Sequence, residues 1–249
     1  MIQQPVIQQL LRECAPGYGG VERVAHSVAE ALGGSVVHLR RPRSGDPWPV
    51  AYDRRWLPAL ELGQLLCPLP SRALGSLLIS SQPLIAHLPC PTVLALLVLT
   101  RFCRPERTIW VYWHAFLQPR TGWRGWLERL YQAAALRLVR CFPVVTTSPP
   151  LRQALIQAGL SPDRVACLPC SLPRAVEAGL LPIASSRPQA PPAGRVISIG
   201  RLDSYKRIDW LLEAMGQTPA ITQLDVVGEG PLRAAFEALA PREIGRAHV

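Results

Sequence analysis

The chain has 249 residues, 49% of them hydrophobic, which is enough for one large or two modest domains with a proper core and excludes general disorder. Its formal charge is +10, and that charge sits in front: residues 1–180 hold 19 Arg against 10 acids (19 − 10 = +9), residues 181–249 hold 8 basic groups against 7 acids (8 − 7 = +1). Such a balance points to an anionic partner, namely a phosphate-bearing substrate, an acidic membrane surface or a nucleic acid.

In chain order, Val6–Leu11 reads as a buried strand, Pro16–Gly20 as a tight glycine loop, and Val21–Leu32 as a helix with Val21, Val24, Ala25, Val28, Ala31 and Leu32 on one face. Ser35–Leu39 is the next strand. Strand, glycine loop, helix, strand opens a parallel α/β sheet. Leu77–Leu88 contains a further strand ending at His87. The apolar run Thr92–Leu99 is too short to span a bilayer. Thr108–Tyr112 is a strand leading into Trp113-His114.

Gly122–Arg140 reads as an amphipathic helix with Trp123, Trp126, Leu127, Leu130, Tyr131, Ala134 and Leu138 on one face and arginines around the others. A basic helix with interfacial aromatics suits an anionic bilayer surface. The same pattern also suits a helix whose aromatic face packs on its own sheet. Phe142–Thr146 is a strand, Ser148 an N-cap for a helix over Leu151–Ala158, and Val165–Leu168 the last strand of a first domain, 1–171.

Residues 172–194 are expected to form a linker, since Pro182–Gly194 is rich in Pro, Ala and Ser and lacks apolar periodicity. A second α/β domain over 195–242 follows: strand Val196–Ile199, helix Ile208–Met215, strand Leu224–Val227, helix Leu232–Leu239. Two βα units are too few to bury much core, so this domain is expected to be incomplete. Residues 243–249 (Glu-Ile-Gly-Arg-Ala-His-Val) look like an in-frame translation of a sequencing adapter. They are expected to be a non-native tail.

Seven cysteines in apolar settings, with no charged segment and apolar core behind Met1, fit a reducing, cytoplasmic compartment. Cys167-Leu-Pro-Cys170 has redox or zinc spacing but no second pair, and Pro173 with a loop is expected after it. Of 27 basic residues only Lys206 is a lysine. In a chain that otherwise uses Arg, a single compact ammonium draws notice as a phosphate ligand.

Three segments then carry chemistry: Gly19-Gly20-Val21-Glu22-Arg23 at the first strand–helix turn, Gly200-Arg201-Leu202-Asp203-Ser204-Tyr205-Lys206-Arg207 after the first strand of the second domain, and Val227-Gly228-Glu229-Gly230-Pro231 after the next strand. A Gly-Gly turn lets backbone N–H groups approach an anion at a helix N-terminus. Arg201 offers a planar fork to phosphate oxygens, and Lys206 adds a mobile point charge. Together they suit a leaving diphosphate.

In order and spacing, these segments resemble glycosyltransferase family 4, as do Val111-Tyr112-Trp113-His114, Thr147-Ser148 and Val165–Pro169. The resemblance covers nearly the whole chain. It implies an α/β fold of GT-B type, two Rossmann-like domains, and retaining transfer of a sugar from a nucleotide diphosphate sugar to an acceptor hydroxyl, carbohydrate or lipid-linked. It implies a diphosphate clamp of Arg201 and Lys206, Gly19 and Gly20 at the donor with Gly20 reaching across the cleft, and His114 beside the transferred sugar. His87 is a weaker site candidate. The family's pair of glutamates, spaced by seven residues, is expected beyond the sequence in hand; Glu22/Glu30 and Glu229/Glu237 have that spacing in the wrong places.

No Asp-x-Asp occurs, so no metal is expected in a clamp of cationic side chains, and no cofactor beyond the nucleotide sugar. A dinucleotide oxidoreductase is the rival reading. Position 22 is Glu where a third glycine belongs, and Arg40-Arg41, not an acid, follows the second strand. The dispersed arginines carry no nucleic-acid motif. A fragment without activity of its own is a further reading.

Overall fold

The computed structural model describes residues 6–15, 19–41, 50–63, 65–118, 121–170, 174–185 and 193–239. Pro16, Gly17 and Tyr18 of the first glycine loop, residues 186–192 of the expected linker, and the expected tail 243–249 lie outside them. The chain divides into two compact units, 1–173 and 174–249.

The first unit begins with β1 (Gln8–Leu11), α1 (Gly20–Leu32) and β2 (Ser35–His38). Three elements follow that periodicity does not reveal: β3 (Asp53–Trp56), and the hairpin of β4 (Ala59–Leu62) and β5 (Leu65–Pro68). β3 is an edge strand of sequence Asp-Arg-Arg-Trp, so it has no apolar alternation to read. Leu77–Ile79, expected near a strand, instead ends α2 (Arg72–Ile79), which Ser71 caps by accepting from the Leu74 N–H at 3.2 Å. The strand itself is β6 (Leu84–Leu88).

Next come α3 (Pro91–Cys103), β7 (Ile109–Trp113), α4 (Gly122–Val139), β8 (Val144–Thr146), α5 (Pro149–Gln157) and β9 (Val165–Cys167). Ser148 caps α5, accepting from Leu151 N–H at 3.4 Å. Seven strands form one parallel sheet in the order β3-β2-β1-β6-β7-β8-β9. The chain winds outward from β1 in one direction, then returns to β6 and winds the other way. That reversal is the doubly wound topology, and its switch point lies between β1 and β6, where such sheets bind ligands at their carboxyl ends.

Strand alternation sorts the side chains. Leu10, Leu84, Ala86, Leu88, Val111, Trp113 and Val144 join the larger core with α2, α3, α4 and α5; Trp113 is fully buried. Leu11 and Val36 pack with Ala25 and Ala29 of α1 in a smaller one. Fully burying each such large side chain stabilises by roughly 1.5–3 kcal/mol.

Two expectations about helices change. α4 is helical where periodicity places it, but the tryptophans of its aromatic stripe face out, while Tyr131 packs against the core. Gly125, Ala135 and Val139 are its buried positions, while Trp123 is 69% and Trp126 58% exposed. Small residues allow the close approach to the sheet, so the larger apolar stripe is left outside. In the expected linker, a helix α6 runs over Arg174–Ser185 and through Pro182. The residues directly after Cys170 lie outside the described ones; Cys167 and Cys170 are both free thiols, and α6 belongs to the other unit.

The second unit continues with β10 (Arg195–Ile199), α7 (Ile208–Gln217), β11 (Gln223–Val227) and α8 (Arg233–Leu239). β10 and β11 pair in parallel. Leu202, Ile208, Leu212, Leu224 and Phe236 form its core on one side of the pair. On the other side Ile197 and Ile199 are exposed.

Candidate functional site

In the second unit the motif residues lie on two loops joined to each other. Gly200 N–H donates to Val227 O (2.9 Å), Leu202 N–H to Glu229 O (2.9 Å) and Leu232 N–H to Leu202 O (3.1 Å). Leu202 is buried and anchors the first loop in the core. The Gly-x-Gly spacing now has a physical reason. A Cβ on Gly228 would run into the Gly200 carbonyl, and one on Gly230 into the Leu202 carbonyl. Gly228 also has φ 153°, where side chains are disfavoured.

Gly230→Ala should therefore destabilise the second unit by roughly 1–3 kcal/mol, the usual range for overpacking. Urea denaturation followed by Trp210 fluorescence measures it, and a loss under about 0.5 kcal/mol, the scatter of ordinary surface changes, would contradict the close approach.

On the joined loops the cations divide into two kinds. Arg207, at φ 51°, donates from Nε and Nη2 to the Asp209 carboxylate (3.1 and 2.6 Å) and lies over Trp210. Arg201 makes neither a hydrogen bond nor an ion pair through its side chain among the described residues. Among the described residues the Lys206 ammonium meets only the Tyr205 ring, 5.2 Å from its centroid. The Lys206 stem lies back toward Gly200, with Cε 3.9 Å from where a Gly200 Cβ would be. Asp203 accepts from the Ser204 N–H at 2.7 Å and opens the turn that presents Lys206. Two side-chain cations without carboxylate partners among the described residues thus stand on loops held by backbone bonds.

In the first unit Gly19 is the N-cap of α1 and Gly20 its first residue. Among the described residues, a Cβ built on Gly20 meets nothing within 4 Å beyond its chain neighbours and its own helix backbone, whereas one on Gly19 would meet the Glu22 carboxylate. That carboxylate accepts backbone N–H bonds at the helix start, from Glu22 and Gly19, the return half of a capping box. Burial raises its pKa above the ordinary value, against the lowering effect of those bonds. The helix end read as an anion site thus already faces the Glu22 carboxyl group.

His114 directly follows β7. Its N–H donates to Leu88 O at 2.9 Å, which continues the β6–β7 ladder and fixes the ring next to β6. There it meets His87, Nε2 to Nδ1 at 2.9 Å. His87 in turn meets Gln9 Oε1 through Nε2 at 2.9 Å, and Gln9 Nε2 donates to Ala25 O of α1 at 2.9 Å. Tyr112 stacks on His114 (4.7 Å, 13°) and on His87 (5.5 Å, 4°), and its hydroxyl donates to Leu168 O.

Gln9, His87 and Tyr112 come from three adjacent strands and share the sheet face toward α1; His87 and Tyr112 are register partners. Burial pushes the His114 imidazolium down to about 4 and lowers His87 well below the usual range, His114 adding to the latter. Both rings are neutral at pH 7. The cluster stands at the carboxyl ends of β6 and β7, beside the switch point. Gln9 and Tyr112 belong to this cluster, and motif reading assigns neither of them a role. The available signal was a polar pair, Gln8-Gln9, inside a strand whose burial is complete.

The remaining candidates have structural duties. Glu30 pairs with His26 (3.7 Å), and Glu237 with Arg233 (2.8 Å). Arg40, where a dinucleotide enzyme would hold a ribose with an acid, pairs with Glu13 and Glu61 (both 3.2 Å).

The sequence profile of Glycosyltransferase Family 4 matches residues 18–174. No curated protein matches the chain. Among solved structures, HepE of Anabaena in complex with UDP and glucose superposes with a TM-score of 0.63 at 15% identity, over 94% of this chain and 64% of that one. An α,α-trehalose-phosphate synthase (UDP-forming) from Burkholderia vietnamiensis gives 0.57 at 13%, over 95% and 67%. A TarM mutant from S. aureus, in complex with fondaparinux, α-GlcNAc-glycerol and UDP, gives 0.56 at 9%, over 94% and 74%. The chain thus spans 64% of the length of the HepE chain, and the α/β fold it shares with these structures is of GT-B type. With more than half of its residues matched by one profile, the chain belongs to Glycosyltransferase Family 4.

Proposed function

We propose that the protein moves a sugar from a nucleotide diphosphate sugar to an acceptor hydroxyl, with retention, in the synthesis of a cell-surface polysaccharide or glycolipid. The observation that carries this reading is a pair of cations, Arg201 and Lys206, without carboxylate partners among the described residues, on loops held together by backbone bonds in a member of this family. They hold the diphosphate and neutralise charge on the leaving group. Gly20, open above its Cα, leaves room for the donor close to the backbone of α1, and Gly19 turns the chain there. His114 hydrogen-bonds the transferred sugar.

The clamp is cationic side chains, so no metal is needed to hold the diphosphate. Release of nucleotide diphosphate from labelled UDP-, GDP- and ADP-hexoses, with and without an acceptor panel, tests the reading. Turnover of one donor, unchanged by EDTA, is expected. Failure to bind any of these donors, with binding of a nicotinamide dinucleotide instead, would overturn it.

The acceptor side carries a second proposal: the protein works as a peripheral enzyme on the cytoplasmic face of a membrane. Trp123, Trp126, Leu127 and Leu130 of α4 are exposed together, with exposed Arg124 and Arg129 on the same helix, in the part of the chain that holds +9 of the charge (19 − 10). No helix among the described residues is long and apolar enough to cross a membrane. Seven free thiols support a reducing compartment.

Each arginine near an anionic surface adds about 1 kcal/mol, so co-sedimentation should rise with phosphatidylglycerol content and fall with salt. Trp126→Ser should weaken it. No sedimentation, or sedimentation indifferent to lipid charge and salt, would leave α4 to another partner.

A further inference from the structure

The hydrogen-bond chain behind His114 has a direction, and the direction follows from its far end. Ala25 O can only accept, so the Gln9 atom facing it, 2.9 Å away, is the amide nitrogen, and the other amide atom is oxygen. That oxygen can only accept, so the His87 nitrogen 2.9 Å from it, Nε2, carries a hydrogen. His87 is 2% exposed, meets no carboxylate among the described residues, and is neutral. Its Nδ1 therefore has a lone pair and accepts from His114 Nε2, 2.9 Å away. His114 is neutral as well, so its Nδ1 carries no hydrogen. Among the described residues that nitrogen has no hydrogen bond. Turning the ring over would put carbon Cε1 in place of Nε2 and break the bond to His87, so the contact fixes which ring edge faces His87.

We propose that Gln9 and His87 are positioning residues that fix the tautomer of His114 and leave its Nδ1 as a bare acceptor for a substrate hydroxyl. A histidine in this state takes a hydrogen bond from a sugar O–H and cannot give one to a phosphate or carbonyl oxygen. It selects a donor group by chemistry and not by shape alone. The α1 helix contributes through Ala25 O, so the same element that starts at Gly20 fixes the proton on a ring two strands away. The identity of the hydroxyl as a sugar's rests on the glycosyltransferase reading; the proton positions do not.

The test reads those protons without substrate. In the 249-residue chain labelled with 15N-histidine, two-bond 15N–1H spectra at pH 7 show which ring nitrogen is protonated, and a His114→Gln variant assigns the signals. His87 and His114 are both expected with hydrogen on Nε2 only. Gln9→Met removes the acceptor at similar size, and His87→Phe keeps the stack on Tyr112 but removes both nitrogens. In each, the His114 signals should move to mixed or Nδ1-protonated values.

A His114 protonated at Nδ1 in the unmodified chain would overturn the proposal. So would a His114 tautomer unchanged in the folded variants. Should Gln9→Met fail to fold, His87→Phe and the unmodified spectrum still decide it. Absence of transferase activity with the expected spectra would count against the function alone.

Discussion

Replacing Lys206 with alanine is expected to lower kcat/KM for sugar transfer by about 30- to 1,000-fold, the equivalent of roughly 2–4 kcal/mol for one charge-assisted contact in the transition state. Arg201→Ala should do likewise. Both side chains lack carboxylate partners among the described residues, so neither substitution removes an ion pair that stabilises the fold, and the unfolding midpoints should stay where they are. Most of the loss should appear in kcat, since charge on the leaving diphosphate grows as the bond to the sugar breaks. Lys206→Arg should keep part of the rate, as charge survives while the compact ammonium does not. Steady-state rates within threefold of the unmodified enzyme for both alanine variants would remove the clamp from these residues.

Acid should loosen the protein through its histidine pair. An unfolded histidine titrates near 6.5, and His114 is held down to about 4 by burial, so the unfolded chain takes up a proton that the folded one refuses. The contribution is fully present above the unfolded value and declines as pH falls from 6.5 toward 4. For His114 alone the linkage is worth about 3 kcal/mol between pH 7 and 4. His87, also lowered, acts in the same direction. The groups facing the pair are Gln9 and Tyr112, the latter with its phenol pushed up to about 12 by burial, and neither changes charge in this window. Urea unfolding at pH 7 and 4 measures the slope, and His114→Gln isolates its share from that of the carboxylates. Equal slopes for the two proteins would contradict the burial argument.

The parts of this fold that a sequence shows are those whose signal is local. The opening strand, glycine turn and helix, and the placement of His114 after a strand, rest on neighbours within a few residues; the glycines at 228 and 230 show as a motif, while the reason for them lies in the carbonyls of Gly200 and Leu202. What escaped depends on partners far along the chain. Gln9 reads as one polar residue in a strand, and only the parallel register puts it against His87, seventy-eight positions later. β3 forms because β2 offers an open edge. The face of α4 that turns inward is decided by how near the helix can come to the sheet, so Gly125 and Ala135 win over the tryptophans. α6 shows the opposite failure, a proline at position 182 read as a breaker inside a segment otherwise composed for helix.

The joined loops after β10 and β11 bear on the entropy of ligand capture. A phosphate-binding loop that wanders must be ordered by its ligand, at a cost of about 0.5–1.5 kcal/mol for each side chain immobilised, with backbone ordering besides. Here the Gly200 and Leu202 amides are already held by the partner loop, and Leu202 is seated in the core. Ordering on binding is confined to the tips of Arg201 and Lys206. The free energy of contact then goes into affinity and transition-state attraction, not into arranging the loop, and binding to these loops should be accompanied by little change in their backbone.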